Sequence, residues 1–213
     1  MDIISVVEMN QIYWLGRYTE RVFTTIRHYF SGRDHMIEDP DYYITYCRDF
    51  TIPNCYASAE DFLVNYVYDE KNPDSIISNL NRAYDNAIVL RNTLGTETLS
   101  YMELAVDQLN NTKSGRVDLL AFWGGADDYV EGEDCRNILK CGKYVERLDL
   151  CIRLDYHTKD LEKEYRKLCN RIEKTSLNYH RERLERVGEI ILREEDPKLH
   201  YREALGCLGG LFF

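Results

Sequence analysis

Gly16-Arg17-Tyr18-Thr19-Glu20-Arg21, within the apolar segment Ile12 to Phe30, decides the reading of this chain, because it has an echo: Gly142-Lys143-Tyr144-Val145-Glu146-Arg147. The match extends at the same offset to Ile26-Arg27 and Ile152-Arg153. On a helical wheel, about 100° per residue, Ile12, Leu15, Gly16, Thr19, Phe23, Ile26 and Phe30 form one apolar stripe that also contains Glu20 and Arg27. Trp14 and Tyr18 fall on the far side, so the helix is apolar nearly all round, the signature of an interior helix. In the second copy, Ile138, Gly142, Ile152 and Tyr156 share a face with Glu146 and Arg153.

Both copies thus turn a carboxylate and, seven residues on, a guanidinium toward the interior, where a charge must be paired or costs several kcal/mol. The economical solution packs the two segments antiparallel and exchanges partners. Glu20 would meet Arg153 or Arg147, and Glu146 would meet Arg27 or Arg21. Gly16 and Gly142 would let the backbones close in. Arg21 and Arg147 project about 100° from the glutamates, so they could instead line a pocket or touch a partner. Tyr13, Trp14 and Tyr18 are read as core, with an interface role as the alternative.

The chain has 213 residues, enough for a substantial core, and is read as a single domain over 1–213 with a pseudo-repeat of 1–112 and 116–213. A net charge of −10 argues against holding nucleic acid or an anionic membrane through a positive field. The start, Met1-Asp2-Ile3-Ile4-Ser5, has no basic region followed by an apolar core, and no apolar run is long enough for a membrane span. Seven cysteines without a Cys-x-x-Cys pair suggest reduced thiols in the cytoplasm.

Ser5 to Glu8 is a capping box opening a helix to about Phe30, with Ser31-Gly32 as its stop. Asp41 to Phe50 is a short helix that Pro53 ends, and Ser58 caps another to about Tyr68. Asn72-Pro73 starts a helix that Gly95 closes, and Thr96 opens the next. Asn110 to Gly115 is the clearest linker. Val117 to Trp123 is helical, Gly124-Gly125 breaks it, and Asp127 to Asp134 is acidic and exposed. The second motif helix runs from about Glu133 to Tyr156. Leu161 to Ile172 and Leu177 to Leu192 are charged amphipathic helices, interrupted by Pro197. The glycine-rich apolar tail, Leu205 to Phe213, docks on the body or enters a partner interface. No hairpin pattern is present, so the fold class is all-α: a multi-helix bundle with the two Glu-Arg helices packed centrally.

These motifs resemble the alpha-E family, a helical domain recognised by its Glu-Arg motif. Tyr13-Trp14-Leu15-Gly16-Arg17-Tyr18-x-Glu20-Arg21 is similar to the family's opening helix, and Asn72-Pro73-Asp74-Ser75-Ile76 to its Asn-Pro-x-Ser-Ile element. Arg82-Ala83-x-x-Asn86 with Arg91, then Gly142 to Arg153, follow in the same order. The likeness covers roughly residues 3–156. Lys143 stands where arginine is usual, and Tyr84 and Asp85 where the family tends to have Arg and Glu. The resemblance implies an all-helical fold encoded beside, or fused to, a circularly permuted ATP-grasp domain and transglutaminase-like proteins, hence amide-bond or peptide-tag chemistry. No activity of the helical domain itself comes with it.

The residues supply no catalytic signature: no phosphate loop, His-Glu-x-x-His or Gly-x-Ser-x-Gly. None of the five histidines has a glutamate three residues before it, against a di-iron bundle. Cys141 and Cys151 read as small hydrophobes. No catalytic residue, metal or cofactor is assigned. The candidate binding residues are Glu20, Arg21, Arg27, Arg82, Asn86, Glu146, Arg147 and Arg153, since arginine forks suit oxyanions. The competing role is an ion network that fixes helix register. The preferred function is a non-catalytic accessory protein that binds an ATP-grasp-type ligase, a transglutaminase-like protein or a peptide substrate. The alternative is a ligand-binding or catalytic domain using the paired motifs on a phosphate- or carboxylate-bearing substrate. Self-association is left open.

Overall fold

The computed structural model describes residues 4–111, 130 and 132–213. Val117–Trp123, Gly124-Gly125 and half of Asp127–Asp134 lie outside them. Among the described residues the chain is helical, with no strand beyond an isolated bridge between Tyr179 and Phe212. The helices are α1 (Val6–Glu38), α2 (Tyr42–Asp49), α3 (Ala59–Asn65), α4 (Ile76–Val89), α5 (Arg91–Leu94), α6 (Thr96–Asn111), α7 (Glu133–Arg153), α8 (Thr158–Ile172), α9 (Arg181–Arg193) and α10 (Tyr201–Gly209).

Helix α1 starts as its sequence dictates. Ser5 Oγ accepts from the Glu8 N–H at 3.2 Å, and the Ser5 N–H donates to Glu8 at 2.9 Å. It does not stop at Ser31-Gly32. Gly32 is buried in mid-helix, where a Cβ would stand 3.2 Å from the Tyr42 ring, so the glycine serves the packing of α2 on α1. The helix ends before Pro40. Asn72-Pro73 does not open α4 either. Asn72 Oδ1 accepts from the Asp74 N–H in a turn, and Ser75 is the cap, its hydroxyl accepting from Ser78. Leu90 then separates α4 from α5, and Gly95, at φ 81°, closes α5. Of the expected linker Asn110 to Gly115, Asn110 and Asn111 belong to α6, and the other four residues lie outside the described ones.

Helices α1 and α7 pack along each other, α4 against α1, α8 against α7, and α6 against α4. Much of the tyrosine is spent beside α1. Tyr29, Tyr46, Phe62 and Tyr66 pack ring on ring, with Phe62 and Tyr66 stacked at 4.7 Å. The buried hydroxyls are satisfied: Tyr46 donates to Thr25 O at 2.7 Å and Tyr29 to Leu63 O at 2.6 Å. The tail docks. Leu208 and Leu211 are buried, Phe212 lies 4.8 Å from Tyr13, and the His180 N–H donates to Leu211 O at 2.9 Å.

Candidate functional site

Where α1 meets α7, both glycines have a steric job. A Cβ on Gly16 would fall on the Leu139 carbonyl oxygen, and one on Gly142 would fall on that of Tyr13. The two contacts are equivalent under the repeat, since Leu139 occupies in the second copy the place Tyr13 holds in the first. The reciprocity continues into the charges. Arg147 grips Glu20 with both prongs, Nε to Oε1 at 2.8 Å and Nη2 to Oε2 at 2.7 Å. Arg21 donates through Nε to Glu146 Oε1 at 2.5 Å. Each guanidinium then turns its other end outward, Arg147 to Glu164 at 3.5 Å and Arg21 to Asp74 at 3.7 Å.

These pairs fall in step along both helices: Tyr13 with Gly142, then Glu20 with Arg147, then His28 hydrogen-bonded to Tyr156 at 2.8 Å. The helices therefore run parallel, not antiparallel as the pairing argument expected. The long chain between Glu38 and Glu133 allows a return in the same direction, and two like segments that exchange complementary residues meet naturally about an axis along their length.

Of the partner choices, the structure takes Glu20 with Arg147 and Glu146 with Arg21, and rejects the rest. Arg153 turns back on its own helix, Nε to Asp149 at 2.5 Å, with Nη1 on the Thr51 hydroxyl at 2.5 Å. Arg27 is exposed, 5.4 Å over the Phe23 ring, with no ion-pair partner among the described residues. It lies eleven residues beyond Gly16, about 16 Å along the axis, past the point where the glycines hold the backbones together. Arg82 and Asn86 are not brought to the charged pairs. Arg82 donates to Pro73 O at 2.8 Å, sits 5.8 Å over Tyr18, and with Asn86 and Trp14 lines a shallow groove of about 350 Å³. Trp14 is exposed, so it is not core, whereas Tyr13 is buried.

The sequence reading missed Arg17, which is buried and donates Nε to Glu146 at 2.8 Å, giving that carboxylate two arginines. It also missed Glu164, held by Lys167 at 2.7 Å, and Asp149. The spacings Asp149/Arg153 and Glu164/Lys167 were the available signals. Burial alone would push the Glu146 carboxyl up, but Arg21 and Arg17 overturn this and hold it below the usual carboxylate range. Burial works against the Arg17 charge too, and Glu146 more than offsets it. Burial pushes the Cys141 and Cys151 thiols up to about 12, so both are inert at neutral pH. No cluster of His, Cys, Asp and Glu that could hold a metal occurs among the described residues, nor a helix long and apolar enough to cross a membrane.

A cavity of about 340 Å³ opens where α1, α7 and α8 diverge, lined by Glu20, Phe23, Arg27, His28, Arg147 and Asp160, among others. Burial lowers the basicity of His28, and neighbouring Arg27 adds to the effect, so the imidazole is neutral at pH 7.

The family model Alpha-E, described as a predicted alpha-helical domain with a conserved ER motif, matches residues 8–181, and the chain belongs to that family. No curated protein and no solved structure matches it.

Proposed function

We propose that this Alpha-E chain is a non-catalytic helical accessory protein of an ATP-grasp-type peptide or amide ligation system, acting in the cytoplasm. It binds the partner enzyme or that enzyme's peptide substrate. The link to ligation rests on the resemblance of the ordered motifs. The structural support is one observation: the Glu-Arg residues neutralise each other across α1 and α7. Carboxylates and guanidinia so engaged brace a scaffold and are poor candidates for acid–base or nucleophilic work. Exposed Val6, Val7 and Trp14 on the outer side of α1 offer a surface for a partner. The test is co-purification of the chain with an ATP-grasp-type ligase or transglutaminase-like protein. A stable complex is expected, and turnover of a peptide by the chain alone would overturn the reading.

A second reading is favoured by the position of Arg147, whose side chain is one-third exposed at the 340 Å³ cavity. There the domain would bind a phosphate- or carboxylate-bearing ligand directly. Loss of ligand in Arg147→Ala and Arg21→Ala at an unchanged melting temperature would favour it over bracing.

A further inference from the structure

The two copies of the motif differ at one place that matters. Asp149 and Arg153 in α7 correspond, at the constant offset of the repeat, to Phe23 and Arg27 in α1. In α7 the guanidinium is satisfied twice over by Asp149, Nε at 2.5 Å and Nη2 at 3.3 Å, and Thr51 takes its third prong. In α1 the carboxylate position holds a phenyl ring, Arg27 stacks on that ring, and no carboxylate among the described residues replaces Asp149. Arg27 lines the cavity between the two halves, and Arg153 does not.

We propose that this cavity binds a small zwitterion, an aliphatic amino acid or the end of a short peptide. The ligand's carboxylate supplies to Arg27 what Asp149 supplies to Arg153. Arginine forks favour such planar oxyanions. The opposite charge comes from Asp160, which lines the same cavity and has no cation partner among the described residues. Glu20 is already held by Arg147, and Glu164 by Lys167. Arg27 and Asp160 are left as one cation and one anion on the cavity wall, which a ligand carrying one group of each sign would match. Phe23, Leu150 and Leu154 give an apolar wall for an aliphatic side chain. A volume of about 340 Å³ is near the lower end for small-molecule sites.

The inference deepens the substrate-binding half of the proposed function and does not depend on a partner protein. The experiment is calorimetric titration of the full chain with L-leucine and L-leucyl-L-leucine, against 4-methylpentanoate, isoamylamine and inorganic phosphate. At least one zwitterion is expected to bind with a Kd below about 1 mM, and each control at least about tenfold more weakly. Arg27→Ala should weaken binding at least about tenfold without changing the melting temperature. Phe23→Asp should do the same, because it builds the missing internal carboxylate and closes the fork on itself. Arg153→Ala should leave binding intact. Neither zwitterion binding at about 10 mM, equal binding of phosphate or 4-methylpentanoate, or Arg27→Ala binding like the wild type would each overturn the site. If the chain ignores both probes yet still captures a ligase, the site fails and the accessory role stands.

Discussion

Up to Arg21 and Arg147 the two motif helices exchange the same glycine and Glu-Arg contacts, with Lys143 where the first copy has Arg17; from Phe23 and Asp149 onward they do not. In the first region each helix supplies what the other lacks: a glycine for the other's carbonyl, a carboxylate for the other's guanidinium. The charges there are consumed in holding the pair together. In the second region one copy has its own carboxylate and the other a phenyl ring, so one arginine is sealed and its counterpart faces a cavity. Symmetry retained points to architecture, and symmetry broken points to where a ligand can enter.

The first region should yield the largest effects. Glu146→Ala leaves Arg17 and Arg21 facing each other with their shared carboxylate gone, and removing one member of a buried pair costs about 3–5 kcal/mol. Denaturant unfolding at constant m would read it. Acid should act through the same carboxyl. Its folded pKa is depressed, so the unfolded chain binds more protons between the two values. The stability it contributes is fully present above the ordinary carboxylate pKa and is lost as pH falls through the lowered one. Melting temperature followed downward from pH 6 should fall in the wild type, and by less in Glu146→Ala. Gly142→Ala comes next at about 3 kcal/mol, since the added methyl meets Tyr13 backbone that cannot swing aside. Gly16→Ala should cost about the same, and a large difference between the two glycines would end the claim of reciprocity. Glu20→Ala should be milder, about 1–3 kcal/mol, because Arg147 is one-third exposed and keeps Glu164.

Much of the first region was legible. Period-3.6 patterning gave the helices, and the repeated Gly-x-x-x-Glu-Arg spacing gave the close approach and, among its alternatives, both cross-helix pairs. Direction was not legible, because a pairing rule says which groups meet and not which way the chains run. Arg27 misled the wheel argument because a wheel assumes a neighbour along the whole helix, while beside Arg27 a cavity opens between α1 and α7. Arg17 was hidden by its reach: its Cα sits off the stripe, yet a long side chain can bring its guanidinium to Glu146. Gly32 and Asn72-Pro73 looked like punctuation and proved to be a packing contact and a turn, because tertiary contacts outrank local signals.

The sharpest test of the broken symmetry lies in its smallest numbers. Arg153 covers Asp149, whose side chain is 6% exposed. Arg153→Ala therefore strands a buried acceptor and should cost about 1–3 kcal/mol. Arg27 covers no carboxylate and is exposed, so Arg27→Ala should move stability by less than about 0.5 kcal/mol, with a slightly larger change if the stacking on Phe23 contributes. Parallel unfolding curves of the two variants decide the matter. A cost at Arg27 equal to that at Arg153 would mean that the α1 arginine is structural after all and that the cavity beside it is only the gap where two helices part. A difference of the expected sign leaves Arg27 as a cation retained at a position where the fold does not need it.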